Sequence, residues 1–184
     1  MVSYSIEFKH VAEKELRKLD GASVPHYKIK EGRADEERLD MEEIKSMVAR
    51  NRAHLGDRLK ERGRAGAAIL EYRRALGENQ NSVPIMTRLS SALIDVGKEE
   101  EALRILKRVQ ELSPDNPTSY TQLGEIYLKK KDFQEARRAF EESIQINPFD
   151  PEIHQGLGQA YEMLGDPSGA VKEKEIARKL SSVK

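Results

Sequence analysis

Residues 117–150, PTSYTQLGEIYLKKKDFQEARRAFEESIQINPFD, decide the fold. Tyr120, Leu123, Tyr127 and Leu128 are spaced by threes and fours, which places them on one face of a helix. Asp132 interrupts, and Phe133, Ala136, Phe140 and Ile144 then repeat the period, predicting a second helix. Asn147-Pro148-Phe149-Asp150-Pro151 stops it, because proline lacks an amide hydrogen and disfavours helix at the residue before it. Gly124 and Ala136 are small where the two helices would have to approach closely.

The order aromatic, Leu-Gly, Tyr, Ala, aromatic, Pro is filled by Tyr120, Leu123-Gly124, Tyr127, Ala136, Phe140 and Pro148, and resembles a tetratricopeptide repeat. The pattern returns about 34 residues on at Leu157-Gly158, Tyr161 and Ala170. Upstream it falls on Leu89, Leu93, Ala102, Leu106 and Pro114, then on Leu55-Gly56, Leu59, Ala68 and Tyr72. Ser113-Pro114-Asp115-Asn116-Pro117 answers the later linker, and Gly63 and Gly97 fall at turns, where positive φ suits glycine. Four repeats are therefore expected, at 49–82, 83–116, 117–150 and 151–184. The resemblance implies an all-α fold, a right-handed α-solenoid of four helix pairs, preceded by a small strand/helix extension over 1–48.

Departures from the pattern carry information. The opening aromatic is Arg52, Met86 and His154 in the first, second and fourth repeats, and Ser90 replaces the glycine of the second. Lys174 stands where the neighbouring repeats have Phe140, Leu106 and Tyr72. In this family that position packs on the following repeat, so a lysine there predicts a polar end face and an array that ends near Lys184.

Charge is high, 35% of residues, and balanced at 32 basic to 32 acidic. Without a basic excess the chain is not expected to bind nucleic acid. It has no cysteine, which excludes disulfides, thiolate metal sites and cysteine nucleophiles. No apolar run approaches the ~18–20 residues of a membrane span, and the N-terminus is unlike a signal peptide. A cytoplasmic protein without membrane contact is expected.

Within residues 1–48, Val2, Tyr4, Ile6 and Phe8 alternate with polar residues as in a strand. Val11, Ala12, Leu16 and Leu19 suggest a helix from His10 to Leu19, Tyr27–Lys30 a possible short strand, and Ile44, Met47 and Val48 a helix from about Asp40. Residues 4–20 are similar to the strand-and-helix start of RelE/ParE-type toxins. Nothing further along matches, so no functional residues carry over. A lone strand needs a partner, which leaves open pairing with the Tyr27 region, with a second copy in a homo-oligomer, or with a neighbouring domain.

Catalytic patterns are absent. His10, His26, His54 and His154 are scattered, and no glycine-rich phosphate loop or nucleophile elbow occurs. His10 and Glu13 sit one helical turn apart, but two ligands beside Lys14 make a poor metal site. No enzyme activity, metal or cofactor is expected. Glu99-Glu100-Glu101 begins one predicted helix and Lys129-Lys130-Lys131 ends another, the favourable macrodipole ends for each sign. Tyr72, Tyr120, Tyr127, Phe140 and Tyr161 read as core.

The resemblance implies that the first helix of each pair lines a concave ligand groove. Its residues would be Arg50, His54, Asp57 and Lys60, then Thr87, Arg88 and Ser91, then Thr121, Gln122 and Glu125, then Gln155 and Gln159. Hydroxyls and amides of this kind can pair with a peptide backbone, and Arg88, near the centre, is expected to anchor a ligand. The Lys, Asn, Asn, Lys, Arg clamp of chaperone-tail binders is not supplied by Asp57, Ser91, Thr121 and Gln122. The reading is a non-enzymatic module that binds a protein or peptide. The alternatives are a regulatory arm or C-terminal fragment of a larger multidomain enzyme, and a homo-oligomer assembled through the N-terminal strand.

Overall fold

The computed structural model describes residues 41–182. These form eight helices: α1 (Met41–Glu61), α2 (Ala65–Glu78), α3 (Val83–Asp95), α4 (Glu99–Leu112), α5 (Pro117–Lys129), α6 (Phe133–Ile146), α7 (Pro151–Met163) and α8 (Pro167–Ser181). The strand expected over Val2–Phe8, the helix from His10 to Leu19 and the Tyr27 region lie outside the described residues. Helix α1 starts at Met41 and runs unbroken through residues 48 and 49, so the expected approach helix and the first helix of the first repeat are one 21-residue element.

The turn inside each helix pair is the same hydrogen-bonded device used four times. Gly63, Gly97, Lys131 and Gly165 have φ of 71°, 72°, 61° and 78°. After each of them the next backbone N–H returns to a carbonyl five residues earlier: Arg64 to Leu59 at 2.8 Å, and Lys98 to Leu93, Asp132 to Tyr127 and Asp166 to Tyr161 at 2.9 Å. This is the Schellman closure, which satisfies carbonyls that the helix end leaves without partners. Lys131 is the exception among the four, an L-residue held in the left-handed region that glycine occupies without cost. The links between pairs end differently. Pro117 and Pro151 sit in the first turn of their helices, where the missing N–H costs nothing, and Pro167 does the same after the turn inside the fourth pair. Asn116, Asp150 and Asp166 cap them by accepting from Ser119, Glu152 and Gly169 N–H groups at 3.0, 2.9 and 2.9 Å.

The chain divides into two compact units between Ile85 and Met86, a boundary that falls within α3. In the first, α1 packs against α2. Val48, Ala49 and Ala53 of α1 and Ala68, Ile69, Tyr72 and Ala75 of α2 are buried. Tyr72 lies on Gly56, where a Cβ would come within 2.5 Å of the ring, and its hydroxyl donates to Asp57 Oδ1 at 2.8 Å. Arg52, the residue in the aromatic slot, pairs with Glu71 at 3.3 Å, both largely buried.

In the second unit each of α4 to α8 packs on the next, and α5 also touches α7. Ala136, Phe140, Ile153, Leu157 and Ala160 form its core, with Tyr127, Leu128, Ile144 and Tyr161 against them. The Phe140 ring is held between two glycines. A Cβ on Gly124 would lie 2.6 Å from Phe140 Cζ, and one on Gly156 would collide from the other side. One expectation is corrected here. Tyr120, Leu123, Tyr127 and Leu128 are only half-buried, whereas Ser119, Gln122, Gly124 and Ile126 are the buried residues of α5. A helix in the middle of an array meets its own partner on one side and the preceding repeat on another, so no single stripe describes its buried surface. Lys174 is exposed, as expected, and pairs with Glu162.

Two stability changes follow from these contacts. Gly124→Ala forces a methyl group against a ring that Gly156 keeps from retreating, and is expected to cost ~1–3 kcal/mol; chemical denaturation measures it, and unchanged stability would refute the contact. Lys131→Gly removes the left-handed strain at a cost in unfolded-state entropy. A net gain of ~0.5–1 kcal/mol is expected, seen as a higher melting temperature.

Candidate protein-binding surface

The expected groove residues separate into two groups once side chains are placed. Positions one repeat apart behave alike. Thr87, Thr121 and Gln155 form one series, Ser91, Glu125 and Gln159 another, and Asp57 holds the register of the latter one repeat earlier. Arg88, Gln122 and Gly156 form a third series, with His54 one repeat earlier.

The third series turns inward within the second unit. Gln122 is buried; its Nε2 donates to the Thr87 carbonyl at 3.0 Å and its Oε1 accepts from Ser90 Oγ. Gly156 is against Phe140. The expectation that Gln122 points at a ligand is therefore corrected: it fastens α5 to α3, because a buried amide needs protein partners for its donor and acceptor. Arg88 shares this register and is half-buried. Thr121 is also used internally. Its hydroxyl lies 2.8 Å from Ser143 Oγ, and both hydroxyls reach the Pro117 carbonyl, at 3.1 and 2.9 Å. Asp57 is the acceptor for Tyr72 and lies 3.7 Å from His54, itself well exposed. Arg50 is exposed and reaches back to the Ser46 carbonyl at 3.4 Å, and Lys60 is half-buried.

Glu125, Gln155 and Gln159 are exposed, while Thr87 and Ser91 are half-buried. The exposed residues of α7 are Glu152, Gln155, Gln159, Glu162 and Met163. One repeat earlier, Thr118, Glu125 and Lys129 are the corresponding exposed residues of α5, and Asp95 is exposed at the end of α3. Thr118, Lys129, Asp95, Glu152 and Met163 were missed by the sequence reading. The signal that finds them is the repeat period applied to exposed residues rather than to the apolar signature. Lys129 donates to the Ile94 carbonyl at 2.8 Å, which ties the end of α5 to the end of α3.

The two charge runs also meet. Lys130 pairs with Glu100, and the hydrogen bond, then the ammonium charge, holds the Glu100 carboxyl below its usual range. The same hydrogen bond raises Lys130. The pair therefore contributes above the unfolded carboxylate range, until pH falling through the lowered Glu100 pKa removes it. It is lost again as pH rises through the raised Lys130 pKa. Tyr161 is raised chiefly by burial, with Glu141, which accepts from its hydroxyl at 3.3 Å, adding to the shift. His154 is buried with its Nδ1 2.7 Å from Glu173 and its Nε2 3.0 Å from the Pro148 carbonyl. All three arrangements are structural.

No group of three or more potential metal ligands occurs among the described residues, and no described helix is long and apolar enough to cross a membrane. His10 and Glu13 lie outside the described residues.

The comparisons agree with this architecture. A family model for the tetratricopeptide repeat matches residues 59–125, and a second, described as TPR repeat, matches 124–165. Small glutamine-rich tetratricopeptide repeat-containing protein 2 of Mycosarcoma maydis is 26% identical over 105 residues, 57% of this chain and 30% of that protein. General transcriptional corepressor trfA of Dictyostelium discoideum is 27% identical over 114 residues, 61% of this chain and 8% of that protein. The chain thus spans less than a third of the length of these curated relatives. Among solved structures, the thermophilic TPR protein TTC0263 of Thermus thermophilus superposes with a TM-score of 0.68 at 24% identity, covering 73% of this chain and 75% of that one. MamA does so with a TM-score of 0.62 at 25% identity, covering 73% and 78%. Four helix pairs closed by the same turn, two matching family models and these relatives make the chain a tetratricopeptide repeat protein, an all-α solenoid of helix pairs.

Proposed function

We propose that this chain is a non-enzymatic interaction module that holds a protein or peptide segment against the exposed faces of α5 and α7. The supporting observation is a division of labour. In the second unit the residues that join repeats are buried, namely Ser90, Gln122, Phe140 and Gly156's neighbours Ile153 and Leu157. The face formed by Thr118, Glu125, Gln155 and Gln159 packs no core and presents hydroxyl, carboxylate and amide groups. Such groups offer both donors and acceptors to a peptide backbone. The repeat fold itself is that of a protein–protein interaction module.

The proposed site keeps Glu125, Gln155 and Gln159 from the groove expected on sequence and gives Gln122 and Thr121 to the scaffold. The wild-type chain used as bait identifies a partner, and titration of that partner against variants tests the surface. Glu125→Ala with Gln159→Ala is expected to weaken binding at least about tenfold, equivalent to ~1.4 kcal/mol, with thermal stability unchanged. Gln145→Ala, exposed on α6, is expected to leave binding intact. Retention of the partner by the double variant would place the interface elsewhere.

A further inference from the structure

The hydrogen bonds of the buried His154 ring need one proton more than a neutral imidazole carries. In the third repeat the Tyr120 hydroxyl donates to the Pro114 carbonyl at 3.0 Å. His154 does the same one repeat later. Its Nε2 lies 3.0 Å from the Pro148 carbonyl, which can only accept, so Nε2 carries a hydrogen. Nδ1 then faces Glu173 Oε2 at 2.7 Å. A neutral ring has a single donor, already used, and would turn a lone pair toward a carboxylate that also can only accept. A proton has to lie between them, whether it belongs formally to the ring or to the carboxyl. Both side chains are largely out of water, at 6% and 12% exposure, where two facing acceptors are costly.

The neighbouring charges are engaged elsewhere or exposed. On α6, Arg137 pairs with Glu141 at 3.8 Å and Arg138 with Glu135 at 2.6 Å; Glu141 also accepts from Tyr161, and Glu142 is exposed. On α8, Lys174 pairs with Glu162 and Lys179 with Glu175 at 2.8 Å, while Lys172 and Arg178 are exposed. Glu125 and Lys129 of α5 and Glu152 of α7 are exposed, and Asp150 in the linker caps α7. Among the described residues Glu173 is the charged group bonded to the ring.

We infer that His154 and Glu173 hold one shared proton whose loss releases α8 from α7, a proton-dependent latch on the fourth pair. Below the ordinary imidazole range, about pH 6.5, the unfolded chain carries this proton too, and the pair's contribution is level. Above it the unfolded chain gives the proton up while the folded pair keeps it, so stability falls as pH rises. The loss is felt first in the last pair, because each repeat supports only its neighbours.

Amide hydrogen exchange in α8 of the full chain, corrected for the base-catalysed intrinsic rate, reads the opening constant of this pair. From about pH 6.5 to about pH 9 that constant is expected to rise, by up to about tenfold per pH unit for one proton. This range stops short of the one in which Tyr161, raised by burial, ionises. Glu173→Gln offers an amide N–H to Nδ1 and removes the need for the proton, so its opening constant is expected to stay level. The double variant His154→Tyr with Glu173→Ala copies Tyr120 and Ala139 of the third repeat and is expected to be level as well, which covers the case in which the amide fits badly. A wild-type constant that does not change with pH, or the wild-type slope persisting in either variant, overturns the inference.

Discussion

The contact on which the second unit depends is a phenylalanine ring lodged where two glycines leave room for it. Phe140 belongs to α6, Gly124 to its partner α5, and Gly156 to α7 of the next repeat. One side chain thereby sets two helix spacings. Neither glycine is needed for its backbone freedom. Each is needed because a methyl group would occupy space the ring already fills, and close-packed interiors offer little slack for it to move. Tyr72 over Gly56 reproduces one half of the device in the first unit. In the fourth pair the Lys174 side chain replaces the ring over Gly158, where a Cβ would lie 3.1 Å from Lys174 Cγ. A flexible aliphatic stem covers the glycine and carries its charge outward to Glu162.

Where a polar residue takes the aromatic slot, the structure supplies a polar partner. Arg52 pairs with Glu71 and His154 with Glu173. These are the same two positions of the repeat, 19 residues apart in each case. In the middle repeats those positions hold Met86 with Ile105 and Tyr120 with Ala139, all without formal charge. Polar residues enter both positions together or neither. That rule is physical, since a buried polar or charged group left without a partner is costly. Ser90 follows the same logic with a neutral group. Its hydroxyl, standing where other repeats have glycine, meets the Gln122 amide of the following repeat.

Much of this was legible in the sequence, and the rest failed for identifiable reasons. The period recurs four times, the turn glycine in three repeats and the proline linker twice, and all are local features, so the helix pairs could be placed from them. Lys131 shows the limit: its charge suggested helix-end electrostatics, but its position in the repeat, shared with Gly63, Gly97 and Gly165, fixes its conformation. The pairing of Glu100 with Lys130 was hidden because each run was read within its own helix, whereas a stacked array brings the start of one second helix beside the end of the next first helix. The candidate surface was half legible. An apolar stripe marks one buried face, and its complement was taken as exposed. A helix inside an array has a second buried face that polar residues can fill, and Gln122 and Thr121 fall on it.

That second buried face also limits what the exposed one can do. Thr121 and Gln122 lie within one turn of Glu125, yet their hydrogen bonds belong to the scaffold, so only every third or fourth residue of a first helix is available to a partner. The spacing of the exposed residues from α5 to α7 is fixed by the stacking of the repeats, and the stacking is fixed in turn by Phe140 and its two glycines.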